Sequence, residues 1–172
     1  MYEVDQQDRV VQFEEFPEFP QSSGPPSLLL VANEDRVVVA YGVTLMRHWS
    51  GLLTRGNEPI ALISFDSVAY MSNPPNLNPC DGHPLANRGL KAYGAFRIEN
   101  SSWIRQLERL YRVLPGRFSG LRHTILASQN AIFECISRKF DIRTEKGSIT
   151  NAIPVMMELL GEISTKPGDY PK

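Results

Sequence analysis

Cysteine is scarce in this chain: Cys80 and Cys135 are the only two. Two thiols do not make a disulfide framework, no CxxC pair is present, and a reducing compartment is the simplest setting. Long apolar runs are missing as well. The run Leu28 to Ala32 is far short of the ~20 residues needed to span a bilayer. The first residues show no basic region followed by an apolar one, so neither a secretory signal nor a membrane anchor is expected. Nucleotide fingerprints are missing too, with no P-loop, no GxGxxG and no serine nucleophile elbow. Gly116-Arg117-Phe118-Ser119-Gly120 bears glycines but lacks the lysine of a phosphate cradle. A strong positive charge is also lacking: the net charge is −1, which argues against nucleic acid as a partner.

What is present is the composition of an ordinary folded domain. The 172 residues are 42% hydrophobic and 22% charged, enough for one domain with a sizeable core. The charge is uneven. Residues 1–35 hold eight acids and one base (Arg9), while the remainder holds 17 bases and 11 acids. An acidic segment of this kind either docks on a basic body or stands as a solvated tail, and the tail is the simpler expectation. Residues 1–26 are read as an acidic arm with Pro17, Pro20, Pro25 and Pro26. Residues 27–164 are read as a single domain and 165–172 as a frayed tail.

Val10, Val11 and Phe13 suggest one short strand. Residues 28–31 and 37–43 are β-branched and apolar around Asn33-Glu34-Asp35, a hairpin signal. Residues 60–70 and 93–99 read as further strands. Residues 121–127 and 132–136 read as a second hairpin that continues through 140–143. Asn100-Ser101-Ser102 supplies N-caps for a helix over residues 103–114. Trp103, Ile104, Leu107, Leu110, Tyr111 and Leu114 share one face of that helix, and Arg105, Arg109 and Arg112 the other. A last helix is expected over 151–163, with Pro154 tolerated only in its first turn. The fold class is therefore α+β, a mainly antiparallel sheet built from hairpins with two amphipathic helices.

Residues 73–89 stand apart. Four Asn, four Pro and two Gly make up ten of the seventeen, and so long a loop is usually functional. It carries Cys80, Asp81 and His83. Their spacing matches no standard zinc pattern, and no metal or cofactor is assigned. His83, Asp81 and His123 are the candidates for acid–base chemistry. His123 and Glu134 fall on partner strands of one hairpin beside Arg122. The plainest reading of that trio is an Arg–Glu pair on an exposed sheet face, and Cys135 reads as a small buried hydrophobe.

The stretch Pro74-Pro75-Asn76, Gly82-His83-Pro84-Leu85, Arg88-Gly89-Leu90, Tyr93-Gly94 and Ser101-Ser102-Trp103-Ile104, followed by Phe133-Glu134-Cys135, resembles a bacterial group of proteins of unassigned function. The likeness covers residues 60–140 and brings no activity with it. In that group the turn before the Phe-Glu-Cys ending carries a His-Asp-Ser-Thr run. This chain has Ser128-Gln129-Asn130-Ala131 there, so chemistry resting on that His-Asp pair would be absent.

The expectation is a cytoplasmic binding or accessory protein. It would recognise a protein partner or a small anionic ligand through the 73–89 loop, with His83, Arg88, Tyr93, Arg122 and Glu134 as polar lining. A stiff loop rich in Pro and Asn loses little entropy on binding. The alternative is a small-molecule enzyme in which His83 and Asp81 form the acid–base pair and Arg88 or Arg122 anchors an anion.

Overall fold

The computed structural model describes residues 2–16, 28–43, 59–73, 80–111, 118–128 and 131–161. The four prolines of the arm, His48, positions 74–79 of the loop, Arg112, the expected helix end at 112–114 and the tail at 165–172 lie outside them.

Among the described residues, seven strands form one sheet: β1 (Arg9–Gln12), β2 (Leu29–Ala32), β3 (Arg36–Gly42), β4 (Pro59–Ser72), β5 (Gly94–Glu99), β6 (Arg122–Ala127) and β7 (Ile132–Lys146). Their order is β1-β5-β6-β7-β4-β3-β2, and every neighbouring pair is antiparallel. Two α-helices among the described residues, α1 (Ser102–Leu110) and α2 (Ile153–Gly161), complete an α+β architecture. No helix among the described residues is long and apolar enough to cross a membrane.

Local chemistry accounts for the turns. Between β2 and β3, the Asn33 side chain accepts from the backbone N–H groups of Asp35 and Arg36, which closes the turn expected from Asn-Glu-Asp. The expected continuation of 132–136 through 140–143 lies in one strand, β7. β7 pairs with β4 along nearly its whole length, with bulges between Phe65 and Ala69. A bulge breaks the two-residue alternation. Cys135 and Phe140, five apart, thus contribute to the same apolar cluster.

That cluster covers one face of the sheet, where Phe13, Phe16, Phe65, Phe133 and Phe140 meet Val37, Val39 and Ile63. The other face receives the helices. α2 sets Met156 and Leu159 against Val38, Ala40, Ile60 and Leu62. Pro154 sits in its first turn, where no helical hydrogen bond is lost. α1 sets Trp103 against Ile136, with Leu107 alongside. Its face is narrower than the periodicity suggests, because Leu110 and Tyr111 are exposed at its end. On the same face, residues 80–90 fold down on β5, β6 and the start of β7. Cys80, Leu85 and Leu90 pack on Phe96, Ile98, Ile125 and Ile132.

The acidic N-terminal segment is not a solvated tail over residues 2–16. β1 adds to the edge of β5, and Phe13 and Phe16 enter the core. Asp8 is buried, and its carboxylate accepts from the backbone N–H of Ser102 at 2.5 Å, at the positive end of α1. Ser101 caps the same end by accepting from the Ile104 N–H.

Candidate functional site

The register of β6 on β7 starts the site. His123 lies across from Ile136, and Ile125 across from Glu134. These four residues share one face, so His123 and Glu134 are diagonal neighbours on it. His123 Nε2 is 3.1 Å from Glu134 Oε2. Packing of the 80–90 segment brings His83 over the same carboxylate, with Nε2 3.0 Å from Oε1. The Tyr2 hydroxyl donates to Oε2 at 2.8 Å. Glu134 is 2% exposed and His123 fully buried. The exposed sheet face expected for Arg122, His123 and Glu134 is therefore wrong for the last two.

Hydrogen-bond direction sets the proton positions. The Leu85 backbone N–H donates to His83 Nδ1 at 3.1 Å. A ring nitrogen that accepts carries no hydrogen, so His83 holds its ring hydrogen on Nε2 and donates to Glu134. Ser101 Oγ lies 2.9 Å from His123 Nδ1 while accepting from Ile104. An ionised carboxylate only accepts, so His123 donates to Glu134 Oε2 from Nε2, and in the neutral ring Nδ1 is left to accept the Ser101 hydroxyl hydrogen. Three donors converge on one carboxylate. Burial by itself pushes the Glu134 carboxyl up, but the hydrogen bonds from His123 and His83 outweigh it and bring it down to about 2. The Tyr2 phenol is pushed well above its ordinary range, first by burial and then by the adjacent Glu134 charge.

A 2-His-1-carboxylate set invites comparison with metal centres. A metal-bound imidazole offers a lone pair from the ligating nitrogen. Here both Nε2 atoms face the oxygens of one carboxylate, which only accepts, and so carry hydrogen. Among the described residues, no group of three His, Cys, Asp or Glu is arranged to hold a metal ion.

The remaining candidates scatter. Asp81 is exposed, whereas the ring nitrogens of His83 face the Leu85 N–H and Glu134. Arg88 reaches the carbonyl oxygens of Asp5 and Asp8 and clamps the N-terminal segment. Tyr93, at φ 61°, packs at the edge of the cluster on the opposite face. Arg122 alternates away from His123, and its guanidinium lies 5.8 Å from the Phe140 ring. It borders an open cleft with Arg97 and Arg105, not the Glu134 centre. Of the stripe on α1, Arg105 pairs with Asp5 and Arg109 donates to the Arg105 carbonyl. The Cys80 thiol is buried and pushed up by that burial, next to the Asp81 charge. Burial also pushes the Cys135 thiol up, to about 12. Neither is poised as a nucleophile.

Tyr2, Asp8, Ser101 and Trp103 belong to the centre without having been read as site residues. Ser101 carried a visible signal as a helix cap. Tyr2 carried none, since its partner is 132 residues away. No protein-family model, curated protein or solved structure matches the chain.

Proposed function

We propose that the chain is a cytoplasmic binding or accessory protein, and that it recognises a partner through the surface of the 73–89 loop. The observation that carries this reading is the anchoring of the loop from beneath. His83 uses both ring nitrogens inside the protein, and Cys80, Leu85 and Leu90 are buried, while Asp81, Pro84 and Asn87 are exposed. A segment held in one conformation loses little entropy on engaging a partner. The same engagement of His83 and His123 speaks against acid–base turnover, which needs a nitrogen able to reach a substrate proton.

A photo-crosslinking amino acid placed at Pro84 or Asn87 in the producing cell tests this. The expected result is a discrete adduct that is lost with Asp81→Lys and missing when the crosslinker stands at exposed Lys139 on β7. Equal or no adducts at all three positions overturn the reading.

A further inference from the structure

The ring of Tyr2 sits in a pocket that the rest of the fold builds without it. The Trp103 indole stacks on the phenol ring with centroids 5.1 Å apart and planes 2° from parallel. His123 presents its ring edge-on at 5.5 Å. Ile136, Ala69 and Met71 line the floor, and Glu134 Oε2 accepts the hydroxyl at the end. These walls come from β4, α1, β6 and β7. Tyr2 itself arrives on residues 2–8, which form neither strand nor helix. Beyond Tyr2, that segment is held by Val4, which packs against the core, and at its rim by polar contacts: Arg105 to the Asp5 carboxylate, Arg88 to the carbonyls of Asp5 and Asp8, and Ser102 N–H to Asp8.

Aromatic host, apolar floor and one buried anionic acceptor together recognise a phenol. An aromatic ring lacking the hydroxyl would leave Glu134 one donor short in a buried site. We propose that this pocket is a binding site for small phenols, and that Tyr2 is its resident occupant, so that a ligand enters by displacing the chain's own side chain. The inference concerns a buried pocket and does not depend on recognition at the loop surface. Loss of the adduct at residue 84 leaves the titration below unchanged.

The test is calorimetric titration of the Tyr2→Ala protein with 4-methylphenol, and with toluene as the ring without the hydroxyl. The expected result is saturable binding of 4-methylphenol, at least tenfold tighter than toluene. Tyr2→Ala/Glu134→Gln should lose that preference, and the wild-type chain should bind at least tenfold more weakly than Tyr2→Ala. No binding to folded Tyr2→Ala, or equal binding of the two probes, overturns the proposal. Should Tyr2→Ala fail to fold, Tyr2→Phe retains the ring and weakens only the occupant. There 4-methylphenol must shift the Trp103 indole N–H resonance at a tenfold lower concentration than in the wild type. Identical responses of the two proteins overturn it equally.

Discussion

His83 and Glu134, 51 residues apart in the chain, meet at 3.0 Å between Nε2 and Oε1 in a site almost closed to water. The contact ties a segment without strands to the middle of a seven-stranded sheet. The 80–90 segment has one short 3-10 turn, Ala86–Arg88, and no ladder of its own. Its position is set by apolar burial of Leu85 and Leu90, by this hydrogen bond and by Arg88 on the carbonyls of Asp5 and Asp8.

Removing the anion should be costly. In Glu134→Gln, the amide nitrogen faces an N–H or O–H donor on at least one side, so one buried donor is left unmet. A loss of about 3 kcal/mol is expected, in line with buried hydrogen bonds to charged groups. Urea unfolding of the variant checks this. A change under about 0.5 kcal/mol, the range of ordinary surface substitutions, would show that the three donors do not depend on the charge.

The same carboxyl predicts an acid limb. Glu134 has a folded-state value of about 2 against an ordinary 4.5. A depressed value contributes stability that is complete above pH 4.5 and is lost as the pH falls towards 2. The loss from this group is on the order of 3 kcal/mol. Stability measured across that window should fall steeply in the wild type and with a visibly shallower slope in Glu134→Gln. Parallel slopes would place the acid sensitivity elsewhere.

Replacing His83 tests the seating of the loop. His83→Ala frees the Leu85 N–H and removes one donor from Glu134. Amide hydrogen exchange at residues 85–90 should quicken by tenfold or more, a factor equivalent to about 1.4 kcal/mol of local opening. The amides of β3 and β4 should change far less. Uniform quickening across the sheet would mean that the histidine supports the whole fold and not the loop.

Ser101 joins two structures, since its oxygen caps α1 and its hydrogen serves His123. Ser101→Ala is expected to cost about 2 kcal/mol, a lost cap plus an orphaned ring nitrogen. Ser101→Thr should recover most of it. In nitrogen NMR, His123 of the wild type should show its ring hydrogen on Nε2, and Ser101→Ala should weaken that preference. A wild-type His123 with hydrogen on Nδ1 would reverse the direction of the network.

The strands were legible because each carries its own signal. Val37 to Tyr41 is β-branched and apolar, and Asn33 marks the turn before it. The pairing of β6 with β7 was also legible from the short span between them, and it brought His123 near Glu134. Burial of that pair was not. One face of β6–β7 looks amphipathic and wet until residues 80–90, α1 and Tyr2 cover it. Arg122 shows the complementary error: it neighbours His123 in sequence, yet alternation sends it to the other face.

The sequence alone determined the local conformations: where strands run, where Ser101 starts a helix, and where Pro154 is tolerated. These depend on side-chain shape and on bonds a few residues long. The tertiary structure decided the chemistry of the centre, because three donors from positions 2, 83 and 123 reach one carboxylate only after distant segments pack. No local preference records that meeting. It follows from which apolar faces must be buried against which.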